Sequence, residues 1–150
     1  MEYVYNDGGR SKYFKGKTGD CVTRAIAIAT GKDYLEVYNE INELAKNERT
    51  GKKKKKISNA RTGVYKQTSR KYLESLGWKW IPCSKIGVGC TMHLNENELP
   101  NGTIICKLTR HLVCVKDGVL YDTFNSSIKY DEDGNLVDRC VYGYYVKGGV

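Results

Sequence analysis

Residues 111–124, His111-Leu112-Val113-Cys114-Val115-Lys116-Asp117-Gly118-Val119-Leu120-Tyr121-Asp122-Thr123-Phe124, decide the fold. Two apolar runs flank Asp117-Gly118, and Asp-Gly between such runs is a strong hairpin signal. A two-residue turn pairs Lys116 with Val119. Cys114 then faces Tyr121, Val113 faces Asp122, and His111 faces Phe124. In this register His111, Val113, Leu120, Asp122 and Phe124 share one face of the sheet. Asp122 becomes the diagonal neighbour of His111, within reach of an imidazole N–H. Asn125 points to the other face and replaces Asp122 only if a bulge shifts the register by one residue.

Working outward, Thr103–Leu108 is β-branched and strand-like, Asp133-Gly134 marks a second turn, and Cys140–Val146 reads as a last strand. Residues 83–102 are loop-rich, and Trp78–Pro82 is a short strand. Upstream the pattern turns helical. A helix opens at Cys21 behind Asp20 as N-cap and stops at Gly31; it is apolar on most sides and therefore buried. A second starts at Asp33, with Glu36 completing a capping box. Its apolar residues Tyr34, Val37, Tyr38, Ile41, Leu44 and Ala45 repeat at helical spacing. A third covers about 64–76. Residues 1–18 read as an irregular or extended entry broken by glycines. Helices first and an antiparallel sheet afterwards predict one α+β domain over residues 1–150.

At 150 residues the chain can bury roughly two thirds of its unfolded surface and needs no disulfide to fold. The six cysteines show no metal-site spacing, and no C-x-x-C occurs. Cys106 and Cys114 sit in apolar runs, as reduced core cysteines do. Free thiols and a polar N-terminus without a secretion signal predict a reducing cytoplasm. No run approaches the ~20 apolar residues of a membrane span. No cofactor and no metal is implied. The formal charge is +8, much of it from Lys52, Lys53, Lys54, Lys55 and Lys56, inside a basic loop at about 48–62. Such a run is ordinarily a solvated loop, and its functional alternative is contact with nucleic acid. No aromatic interleaves it, which argues against base stacking there.

Cys21 carries the chemical interest. It lies on the first turn of a helix, where outward N–H groups and the helix dipole favour a thiolate and can serve an oxyanion. The plain alternative is a buried helix cysteine. His111 is one of only two histidines. With Asp122 to orient it, it can take the thiol proton and return it to a leaving group. His93 lies in a loop-rich region and is the weaker candidate base.

Cysteine on a helix tip, then histidine on a strand, then aspartate on the next strand resembles the papain-like superfamily. Asp20-Cys21 before an apolar helix is similar to bacteriocin-processing cysteine peptidases. Residues 19–31, with His111-Leu112-Val113 and residues 118–123, also resemble small bacteriophage proteins. The resemblance covers roughly residues 17–146. It implies a papain-like fold, a Cys21–His111–Asp122 triad, a peptide or protein substrate drawn from a host, and the host cytoplasm. The superfamily carries a Gln oxyanion donor about six residues before the nucleophile. Lys15 stands there here, so Lys15, Thr18 or the backbone at Asp20 must substitute. Val22 replaces the Gly that follows the nucleophile in the bacteriocin-processing enzymes.

Three functions are compatible with this pattern. The first is acyl transfer from an amide, isopeptide or thioester, to water or, in a transglutaminase-like variant, to an amine. The second is an inactive papain-like protein that sequesters a host factor. The third is nucleic-acid binding through the lysine run.

Overall fold

The computed structural model describes residues 1–148. Strand β1 (Glu2–Tyr5) is followed by a single 3-10 turn at Arg10–Lys12, then by helices α1 (Cys21–Thr30), α2 (Tyr34–Ala45) and α3 (Lys66–Ser75). Strands β2 (Trp78–Pro82), β3 (Thr103–Leu108), β4 (His111–Lys116), β5 (Val119–Asp122), β6 (Ile128–Tyr130), β7 (Leu136–Asp138) and β8 (Gly143–Lys147) complete the chain. Six strands form one sheet in the order β1-β5-β4-β3-β8-β2, and β6 and β7 form a separate hairpin.

The β4–β5 hairpin has the register expected from its turn: Lys116 pairs with Val119, Val115 with Leu120 and Cys114 with Tyr121. Asp117 and Gly118 both take positive φ, 47° and 79°, as a primed two-residue turn requires. The sheet is mixed rather than antiparallel, because β1 pairs in parallel with β5 from Glu2↔Val119 to Tyr5↔Asp122. The sequence pattern predicts only an irregular or extended entry for this segment. Three of its four residues are exposed, so no apolar alternation marks it.

Two cores lie on opposite faces of the sheet. On one, α1, α2 and α3 pack Ala25, Ile26, Val37, Ile41 and Leu73 against Ile105, Leu112 and Tyr145. On the other, Ile104, Cys106, Leu108, Val113, Val115 and Leu120 are covered by Leu94, Leu99 and Val141. Segment 83–102 is thus the second covering layer. That is why β3 and β4 read as continuous apolar runs: both faces are buried.

Three further expectations are corrected. The Asp20 side chain makes no cap hydrogen bond, since it turns inward to buried cations. Asp33 does cap α2 by accepting from Leu35 N, but Glu36 pairs with Lys32. The cysteines are not all free: Cys90 and Cys140 form a disulfide. Backbone bonds from Val141 N to Met92 O and from Leu94 N to Arg139 O hold the two segments side by side. This brings the two Cα atoms to 5.9 Å, inside the range a disulfide spans. The last strand accordingly starts at Gly143, after the bridged Cys140. Among the described residues no helix is long and apolar enough to cross a membrane.

Candidate active site

Cys21 is the first residue of α1, half-buried at its tip. The first helical bond runs from Arg24 N to Asp20 O. The N–H groups of Cys21, Val22 and Thr23 therefore precede the intrahelical ladder and have no acceptor among the described residues. Because the Asp20 carboxylate faces inward, the N–H groups of Cys21 and Val22, which line the cleft, are left for an incoming anion, while Thr23 is buried.

The two-residue turn Thr109-Arg110, with Arg110 at φ 54°, leads into β4, so its first residue His111 stands at the sheet end beside the α1 tip. His111 Nε2 meets Asp122 Oδ2 at 2.6 Å. The other imidazole nitrogen, Nδ1, makes no hydrogen bond among the described residues, and Cys21 lines the same cleft. Ser126 Oγ donates to the same Asp122 oxygen at 2.8 Å, while Thr123 N (2.7 Å) and Arg24 Nη2 (3.1 Å) donate to Oδ1. Four donors thus hold one buried carboxylate in a single orientation. The Phe124 ring lies 5.2 Å from the imidazole, centroid to centroid.

Electrostatics follow from this geometry. Burial pushes the Cys21 thiol up, but His111, the Leu112 N–H and Arg24 together pull it below the ordinary thiol range. Burial disfavours a charged His111, and this is outweighed by Asp122 and Cys21, so the imidazole is held above its ordinary value. Asp122 is pushed up by burial and brought below the usual carboxylate range by His111, Ser126 and Thr123. These directions favour a thiolate–imidazolium pair. The other free cysteines go the opposite way: burial raises Cys83 and Cys106, and pushes Cys114 up to about 12.

Behind the pair lies a buried charge cluster that the sequence reading missed. Arg24 bridges the two carboxylates, with Nη1 to Asp20 and Nη2 to Asp122. Arg10 (2.9 Å) and the Tyr34 hydroxyl (2.6 Å) also donate to Asp20. Arg24 Nε is buried without a partner. One signal was available: a charged pair at i,i+4, Asp20 and Arg24, in a helix otherwise apolar.

Cys21 and His111 open on a cleft of about 400 Å³ between the α1 tip, the sheet end and the turn at Thr62–Val64. Of the remaining candidates, Thr18 lines this cleft, but its hydroxyl donates to Arg61 O. Lys15 is exposed and borders a neighbouring pocket with Arg10 and Phe14. Asp20 is buried with its carboxylate fully engaged, so its side chain offers an oxyanion no donor. Asn125 accepts from Ser127 in a local loop and not from His111. His93 sits outside the cleft, 3.3 Å from Glu98. Lys52, Lys53, Lys55 and Lys56 are exposed away from the cleft, whereas Lys54 pairs with Glu48 and lies over the Tyr65 ring. Among the described residues no group of three or more His, Cys, Asp or Glu side chains is placed to hold a metal ion.

Comparison with protein-family models, curated proteins and solved structures finds no match to this chain.

Proposed function

We propose that this chain is a thiol-dependent, peptidase-like hydrolase or acyltransferase of papain-like type, acting on an amide, isopeptide or thioester through Cys21, His111 and Asp122. One observation carries the reading. A helix-tip thiol shares an open cleft with an imidazole whose far nitrogen is fixed by a buried carboxylate at 2.6 Å.

His111 Nδ1 takes the Cys21 proton, and Sγ attacks the substrate carbonyl; a C–S bond forms and the carbonyl electron pair moves to oxygen. The free N–H groups of Cys21 and Val22 stabilise that oxyanion. Collapse breaks the bond to the leaving amine or thiol, which takes the proton from His111. Water, deprotonated by His111, then attacks the thioester and restores the thiol; an amine in place of water gives transfer. Asp122 stabilises the imidazolium in each half-reaction. A peptide or protein of a host cell is the substrate class, and a reducing cytoplasm keeps Cys21 a thiol.

The test is iodoacetamide labelling of each cysteine as a function of pH, read by mass spectrometry. Because Cys21 is lowered and His111 raised, the ion pair is populated between the two apparent pKa values of the couple. Cys21 should therefore label first, with an inflection below the ordinary thiol range. His111→Ala should move that inflection up and slow labelling at neutral pH. Equal labelling of Cys21 and Cys83 at neutral pH refutes the reading.

A binding-only protein is the second reading. It is favoured by the exposure of Lys15 outside the cleft, which leaves no side-chain donor upstream of Cys21. It expects Cys21→Ala to leave the protein's biological effect intact.

A further inference from the structure

The cleft beside Cys21 is lined by four cations, Arg24, Lys66, Lys107 and Arg110, and by no carboxylate among the described residues. Arg24 is neutralised from behind by Asp20 and Asp122. Lys66, Lys107 and Arg110 have no acidic partner within 4.0 Å among the described residues. Lys66 and Arg110 are exposed and stay hydrated, but Lys107 is half-buried. It sits mid-sheet on β3, opposite Leu112 on one side and Gly143 on the other.

An ammonium withdrawn from water without a counter-charge is unfavourable unless something supplies that charge. Consistent with this, burial, assisted by Lys66, holds Lys107 below the usual lysine range, against an opposing pull from Cys21. Trp80 and Tyr145, with ring centroids 4.8 Å apart, form an apolar wall of the same cleft.

We infer that the acyl substrate delivered to Cys21 carries a carboxylate, and that Lys107, flanked by Lys66 and Arg110, receives it. One half-buried ammonium matches one negative charge. The inference rests on the thiol chemistry proposed above and adds the charge of the substrate.

Two reagents of nearly equal size separate the two ideas. Iodoacetate carries a carboxylate and iodoacetamide does not. Both form a C–S bond with the thiolate sulfur and expel iodide with the C–I electron pair. Their rate ratio at Cys21 therefore cancels the thiolate population and reads the charge of the cleft alone.

The ratio should exceed that of glutathione. It should fall about threefold in Lys107→Gln, the factor Coulomb's law gives for one unit charge several ångströms away at the dielectric of water. It should fall likewise at about 1 M salt, where the screening length is about 3 Å. Lys66→Gln, an exposed site, gives a second variant if Lys107→Gln does not fold, and should lower the ratio in the same direction. An unchanged ratio in both variants, with Cys21 still labelling rapidly, overturns the carboxylate and leaves the thiol chemistry standing. Slow labelling of Cys21 by both reagents overturns the two together.

Discussion

Replacing Arg24 with Met tests whether the bridge between Asp20 and Asp122 holds the site in register. Arg24 is buried and donates to both carboxylates, one from its own helix tip and one from β5. Removing one partner of a buried ion pair costs about 3–5 kcal/mol. Here each carboxylate keeps other donors: Arg10 and Tyr34 for Asp20, His111 and Ser126 for Asp122. Met also fills the aliphatic volume and removes an unpartnered buried Nε. The lower end, about 3 kcal/mol, is therefore expected, and for a domain of this length it lowers Tm by about 6–12 °C. Thermal unfolding followed by circular dichroism measures it. Because Arg24 helps hold the Cys21 thiolate, the labelling inflection of Cys21 should also move to higher pH in the variant. A Tm change under about 2 °C, the size of an ordinary surface substitution, refutes the bridge as a structural element.

Two other expectations follow from the fold. Gly143 lies on β8 between Pro82 and Lys107, and a methyl group there overlaps the Trp80 ring and approaches the Ile81 carbonyl. Gly143→Ala should cost about 1–3 kcal/mol by overpacking and shift the Trp80 emission as the ring leaves the cleft wall; unchanged stability and emission would contradict the packing. Changing Lys52, Lys53, Lys55 and Lys56 to Gln should alter stability by less than about 0.5 kcal/mol and leave Cys21 labelling intact, because these side chains are exposed outside the cleft. Salt-sensitive retention of the parent chain on immobilised DNA, lost in this variant, would assign that loop to nucleic-acid contact.

What could be read from the sequence was what local rules determine. Asp117-Gly118 sets its own turn, the turn sets the register, and the register puts Asp122 beside His111. The helix at Cys21 was legible because Gly31 closes it and an apolar run fills it. What stayed hidden depends on distant partners. Strand β1 has little buried surface of its own, so its parallel pairing with β5 leaves no mark in its pattern. Arg24 meets an aspartate 98 residues away, and Cys90 a cysteine 50 residues away, and no spacing rule joins either pair. Asp20 shows why a sound local rule fails: a cap is worth about 1 kcal/mol, less than its charge-assisted bonds to two buried arginines and a tyrosine.

The division of the site between the α1 tip and the β4–β5 hairpin has a consequence for the nascent chain. Until residues past Asp122 have emerged and docked, the helix-tip sulfur has no imidazole beside it, and Arg24 has no second carboxylate to bridge. An incomplete chain therefore lacks the groups that, with Arg24, pull the Cys21 thiol below its ordinary range. Tertiary closure itself assembles the site, joining a helix tip to a hairpin about 90 residues further along the chain.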